Sequence, residues 1–183
     1  ATPSLTTLFT TLFIAMATGG CICVAQYYGA RDAKNVFETV HTCVLISIIG
    51  GIFIAVVGFF FAESALRLMD TPEDIIDLAT LYLRIIFLSF PFTLFYNFAS
   101  GIIRASGDTK TPFYILTVTG IVNVVLNLVF VIGFGMSVEG VGLATAISAV
   151  LNAVFSALIL VRSHDLIYID FTNFKNASLP SFV

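Results

Sequence analysis

Residues 100–112 read SGIIRASGDTKTP, and the reading of this stretch decides the fold. Two bases, Arg104 and Lys110, flank an acid, Asp108, and Pro112 closes the group. Before it runs IIFLSFPFTLFYNFASGII (Ile85 to Ile103); after it runs TPFYILTVTGIVNVVLNLVFVIGFGMSV (Thr111 to Val138). Neither flank carries a charge. A tight polar hinge between two membrane spans accounts for this pattern. Gly107 lets the chain reverse. Pro112 opens the following span, where its missing N–H costs least. Arg104 and Lys110 hold the turn at the interface, and Asp108 caps the next helix or pairs with a neighbouring base.

Composition points the same way. The 183 residues are 58% hydrophobic and 10% charged, with a mean hydropathy of +1.04. A soluble domain carries roughly 25% charged residues to wet its surface, so the bilayer is the solvent for most of this chain. A net charge of -3 is too small and of the wrong sign for nucleic acid as a partner. Cys21, Cys23 and Cys43 lie inside apolar runs and read as small buried hydrophobes. Their spacing is not that of a zinc site, and His41 and Cys43 do not share a helix face.

Five spans are expected, near residues 5–26, 40–62, 80–103, 113–134 and 141–162. Each is long enough for about 30 Å of hydrocarbon. The runs are continuous rather than alternating, which excludes membrane β-strands. Pro91 predicts a kink in the third span. Arg84, near one end of that span, is expected to snorkel to the headgroups. The connection before it holds Thr71-Pro72 followed by Glu73, Asp74 and Asp77. Pro72 is expected in the first helical turn, with the acids complementing the helix dipole. The first segment lacks the basic start of a signal peptide, and the opening ATPSLTTLF reads as the interior of a larger polypeptide.

Basic residues alternate between the connections. Arg31 and Lys34, Arg104 and Lys110, and Arg162 and Lys175 fall on one side; Arg67 and Arg84 fall on the other. The richer side is expected in the cytoplasm, which places the first residues outside and the C-terminal tail inside. Asp32 and Asp108 each follow a glycine-containing turn, with Gly29 and Arg31 in the first, two hinges under one geometric demand.

Polar side chains within the spans need partners, because lipid offers none. Thr93, Tyr96, Asn97, Ser100 and Arg104 form one helical stripe. Gly120, Asn123 and Asn127 share a face in the fourth span, with Thr119 beside them. Thr145, Ser148, Asn152 and Ser156 do so in the fifth, and the first span holds Thr6, Thr7, Thr10, Thr11 and Thr18. The hydroxyls suit helix packing. Asn97, Asn123 and Asn127 fit two readings, bridges between helices or amides meeting around a wet path. No acid or base lies at mid-depth, so no carboxylate proton relay is visible. HExxH, GxSxG, P-loop and GxGxxG motifs are absent, and no enzyme is indicated.

Four stretches carry a family resemblance. AQYYGARDAKNV (Ala25 to Val36), ALRLMDTPEDIIDLATLYLRI (Ala65 to Ile85), SGIIRASGDTKTP and NVVLNLVFVIGFGMSVEGVGLATAIS (Asn123 to Ser148) resemble loops and helices of MATE (multidrug and toxic compound extrusion) transporters. The resemblance implies an all-α membrane protein. Its five transmembrane helices would be helices two to six of a partial six-helix lobe, within a twelve-helix transporter of two lobes. Residues 1–162 would be the partial N-terminal lobe and 163–183 the start of a cytoplasmic inter-lobe linker. Helix one and the C-terminal lobe would be this chain's partners, with the lipid bilayer around them.

By the same resemblance the protein is a plasma-membrane (bacterial inner-membrane) efflux antiporter, not an enzyme. It would exchange Na+ or H+ for organic cations or amphiphilic drugs by alternating access and would need no cofactor beyond the coupling ion. Asn97, Asn123 and Asn127 would line its cavity with Tyr96, Ser100 and Asn152. Gly29, Arg31, Asp32, Arg104, Gly107, Asp108, Lys110 and Pro112 would build the cytoplasmic hinges. Many members carry Asp where this chain has Asn127. An amide sheds no proton at working pH, so proton coupling through this lobe is in question. Two rivals remain: a lipid-linked saccharide flippase of the same superfamily, disfavoured by the lack of membrane-embedded bases, and a non-transporting membrane scaffold.

Overall fold

The computed structural model describes residues 2–68 and 72–162. The expected linker at 163–183 and the tip of the acidic connection lie outside the described residues. Five helices follow one another: α1 (Thr2–Gly29), α2 (Ala33–Leu68), α3 (Glu73–Ala105), α4 (Lys110–Leu128) and α5 (Val138–Arg162). A π-helical turn, Val129–Gly133, extends α4. The first, second, third and fifth expected spans lie within α1, α2, α3 and α5, and the fourth runs through α4 and its π-helical turn to one residue beyond. By length and composition, α2 to α5 are each able to cross a membrane, α4 doing so together with its π-helical turn.

α3 is the centre of the bundle, flanked by α1, α2 and α5, while α4 rests mainly on α5. Close approaches fix the directions. Gly51 and Gly58 of α2 meet Pro91 and Phe87 of α3 in reverse order, so these two helices are antiparallel. Gly20 meets Phe98, and Gly101 meets Cys21, so α1 runs parallel to α3. Gly142 of α5 lies against Tyr82 and Ile85 near the start of α3. Thr119 of α4 reaches Asn152 of α5. The helices therefore alternate up and down, as short connections require.

Leu83, Leu94, Ile102 and Ile103 of α3 are sealed inside, together with Val36, Val40 and Val44 of α2. The outer surface is just as apolar: Phe53, Phe60, Phe61, Phe113, Ile121, Ile132 and Phe134 are exposed. Water would not tolerate such a surface, whereas acyl chains do. Within lipid, burial of apolar area cannot hold helices together, so contact quality does. The α2 face toward α3 shows this in the small buried residues Gly51, Ala55, Gly58 and Ala62.

α3 runs as unbroken helix through Pro91. Some local details differ from the sequence reading. Pro72 sits at the N-cap, one residue before the helical turn in which it was expected. Arg84 is partly exposed and rests against α2. Its Nε donates to the Phe59 carbonyl at 3.3 Å, its guanidinium stands 5.2 Å from the Phe59 ring centre, and Glu63 lies 4.0 Å away. Glu63 also pairs with Arg67 at 3.0 Å. The fourth span winds into a π-helical turn, closed by the Phe134 N–H on Val129 O at 3.1 Å.

The two hinges share one construction. Arg31 (φ 55) precedes Asp32 and Gly107 (φ 93) precedes Asp108, each with the left-handed backbone that reverses the chain. Asp32 Oδ1 then accepts the Asn35 N–H at 3.2 Å. Asp108 Oδ1 accepts the N–H groups of Lys110 and Thr111, each at 3.0 Å. Both acids thus occupy orphan donors at a helix start. Pro112, the third residue of α4, has no N–H to satisfy there.

Candidate functional site

The stripe on α3 separates two clefts. One, of about 370 Å³, opens between α3, α4 and α5. Thr93, Tyr96, Thr119, Asn123, Ser148 and Asn152 line it, with no charged side chain among its walls. It exists because α4 leans on α5 and barely touches α3. The other, of about 330 Å³, opens between α1 and α3 and is lined by Thr18, Cys21, Asn97, Gly101 and Arg104 among others.

Asn97, Asn123 and Asn127 therefore do not converge on one point. Asn97 faces the α1–α3 cleft and donates through Nδ2 to Thr93 O at 3.0 Å. Asn123 faces the three-helix cleft. Asn127 lines neither; its Nδ2 reaches Asn123 O and Oδ1, both at 3.0 Å, and its own Oδ1 is buried without a donor. Asn152 lines the three-helix cleft opposite Thr119, with Thr119 Oγ1 and Asn152 Oδ1 2.6 Å apart. Thr119 Oγ1 also lies 2.8 Å from Ile115 O. One hydroxyl proton serves one acceptor, so an amide turned to present Nδ2 to Thr119 satisfies the whole set.

Tyr96 closes the end of the three-helix cleft near the Gly107 turn. Its ring is buried, and its hydroxyl donates to Pro112 O at 3.2 Å, tying α3 to the first turn of α4. Ser100 is buried and accepts from Arg104 Nη2 at 2.7 Å. That bond draws the guanidinium back along its own helix into the α1–α3 cleft. Arg104, expected in the hinge and at the end of the α3 stripe, is thus also a cleft residue. A base one helical turn below a serine on the same stripe was the sequence signal for it.

At the hinges, Asp32 is held below the usual carboxylate range by the Asn35 backbone N–H and then the Asn35 side chain. Asp108 is held low by the Thr111 hydroxyl and then the Thr111 backbone N–H. Both acids are anionic capping groups. Among the described residues no cluster of His, Cys, Asp or Glu is arranged to hold a metal ion.

The site is a pair of uncharged or singly charged clefts on a polytopic helical bundle, the architecture of a membrane transporter lobe. Comparison with known proteins makes this specific. The MatE family model matches residues 1–129, and the chain belongs to this family, one of transporters rather than enzymes. A second model, Lipid II flippase MurJ, matches residues 103–180. The chain is 36% identical over 141 residues to the Probable multidrug resistance protein YoeA of Bacillus subtilis, covering 75% of this chain and 30% of that protein. An outward-facing multidrug resistance MATE family transporter of the MOP superfamily matches with TM-score 0.85 and 25% identity, over 93% of this chain and 39% of that one. Its inward-facing counterpart matches with TM-score 0.82 and 25% identity, over 87% and 36%. The chain thus spans about a third of the length of the relatives it matches.

Proposed function

We propose that residues 1–162 form part of the N-terminal lobe of a secondary active exporter, with 163–183 beginning an inter-lobe linker. The whole protein exchanges Na+ or H+ for amphiphilic drugs, organic cations among them, by alternating access across the bacterial inner membrane. The N-terminal end of this chain lies outside and its C-terminal tail in the cytoplasm. The three-helix cleft carries this reading. Its hydroxyls and amides lie between apolar walls, so a partly dehydrated solute finds both donors and acceptors there. Asn123, Asn152 and Tyr96 contact solute in that cleft; Asn97 does so across the α3 stripe. Ser100 and Asn127 set the positions of Arg104 and Asn123. The likeness to both inward-facing and outward-facing structures supports a lobe that rocks as one body.

The test is efflux of ethidium by the intact protein in proteoliposomes, under an imposed Na+ or pH gradient. Gradient-dependent efflux that falls about tenfold in Asn123→Leu, in protein of unchanged yield, is expected from loss of one buried amide contact. Efflux indifferent to both gradients sinks the reading. A flippase is the second reading, favoured by the MurJ match and by the base found in a cleft. Translocation of a lipid-linked saccharide without ethidium efflux would select it.

A further inference from the structure

The α1–α3 cleft holds one charged side chain, and it is a base. No Asp or Glu is among its lining residues. The acids of the adjoining hinges are engaged elsewhere, Asp32 on Asn35 and Asp108 on Lys110 and Thr111. Arg104 has no carboxylate partner among the described residues. One guanidinium nitrogen is fixed by Ser100 Oγ at 2.7 Å, which leaves the remaining donors of the fork for a ligand. The same cleft is lined by the Asn97 amide, Thr18 and Cys21, among the apolar Ala17, Ile22, Ala25 and Ala105. The space, about 330 Å³, is at the small end of ligand pockets. A planar base and two polar side chains set among apolar walls suit an amphiphile with a charged head.

We propose that this cleft binds the anionic head, carboxylate or phosphate, of an amphiphile, with Arg104 as charge partner and Asn97 and Thr18 as hydrogen-bonding partners. The proposal rests on the export reading above and names the head group that the α1–α3 cleft accepts. An organic cation is repelled by this cleft and is left to the uncharged three-helix cleft.

Cys21 lines the same cleft and serves as reporter. The intact protein is prepared in phosphatidylcholine nanodiscs with Cys23→Ser, Cys43→Ala and any further cysteines replaced. Cys21 is then labelled with an anionic sulfonate thiosulfonate or a cationic trimethylammonium one, each rate normalised to a free thiol. Both reagents need the thiolate, so the ratio of rates cancels the thiol's acidity and reports the local potential alone. The anionic reagent is expected to react about tenfold faster, as one base at short range dictates. Arg104→Gln brings the ratio near one, Arg104→Lys retains most of it, and Lys110→Gln, outside the cleft, leaves it unchanged.

Dodecanoate and dodecyl phosphate are expected to protect Cys21, and dodecyltrimethylammonium is not. Nanodiscs of phosphatidylglycerol separate the sources. Protection by that lipid alone, relieved in Arg104→Gln, assigns a lipid headgroup; protection only by added dodecanoate assigns a free amphiphile. Either result sustains the proposal. An even ratio, a ratio indifferent to Arg104→Gln, equal protection by the cation, or a Cys21 that neither reagent reaches overturns it. None of these readouts requires transport, so loss of gradient-driven efflux with the ratio intact defeats the export reading alone.

Discussion

A Cβ built on Gly51 of α2 would stand 2.5 Å from the Cα of Pro91 in α3. The two backbones touch here, and no side chain fits between them. About two turns further on, Gly58 faces the Phe87 ring, which a Cβ would meet at 2.1 Å. Such close approach is how helices bind one another where lipid removes the hydrophobic drive. Gly51→Val is expected to lower the stability of the intact protein in detergent by about 1–3 kcal/mol. Gly19→Ala is the control: nothing lies within 4 Å of its Cβ position. It should unfold at or slightly above the parent temperature. Thermal unfolding followed by size-exclusion chromatography separates the two. Equal behaviour of both variants would dissolve the claimed contact.

Thr119 and Asn152 form the polar link between α4 and α5. Asn152→Leu removes it and leaves the Thr119 hydroxyl to its own helix, where Ile115 O already lies 2.8 Å away. The loss should be modest, about 0.6–2 kcal/mol. Thr119→Val should cost a similar amount, and the double variant should cost little more than either. A double-mutant cycle on unfolding temperature measures this, and strict additivity would show that the pair is not coupled.

The spans and hinges were legible because charge is excluded from hydrocarbon and collects where the chain leaves it. Asp32 and Asp108 were visible as paired positions; their shared capping geometry came only with the backbone. Gly51, Ala55, Gly58 and Ala62 were hidden because glycine and alanine occur all along apolar spans. Only a neighbouring helix shows which of them are contacts. The partition of Asn97 from Asn123 was hidden for a related reason. A stripe gives a direction on one helix, but the cleft it faces depends on α4 leaning toward α5. Arg104 was read as a hinge residue at the end of the α3 stripe; it is exposed, and only its bond to Ser100 shows that the guanidinium lies at the α1–α3 cleft.

Asp108 gathers two backbone N–H groups at the start of α4. Asp108→Ala is expected to destabilise the intact protein by about 1 kcal/mol at neutral pH. Asp108→Asn, which keeps an acceptor oxygen, should cost less. The pH dependence has a fixed sign. The folded carboxyl titrates below its ordinary value of 3.8, so its contribution is complete above that value. It is lost as pH falls through the lowered folded value. Above pH of about 5 the wild-type-to-Asn difference should be flat, and it should shrink only in stronger acid. A difference that grows between pH 6 and pH 8 would assign the effect to another group.

Arg31 holds φ 55, the left-handed backbone that the neighbouring hinge gives to a glycine, Gly107 at φ 93. An L side chain in this region costs roughly 1–2 kcal/mol. A glycine avoids that cost but loses about 0.5–1 kcal/mol through the greater freedom of its unfolded chain. Arg31→Gly should therefore stabilise the intact protein by several tenths of a kcal/mol, up to about 1. Arg31→Ala, which keeps the strain and removes only the charge, should not. Lys34 remains to mark the basic side of the hinge, so insertion should be unaltered. Unfolding temperatures of the two variants decide it. If glycine and alanine shift stability alike, the charge of Arg31, and not its backbone, governs the turn.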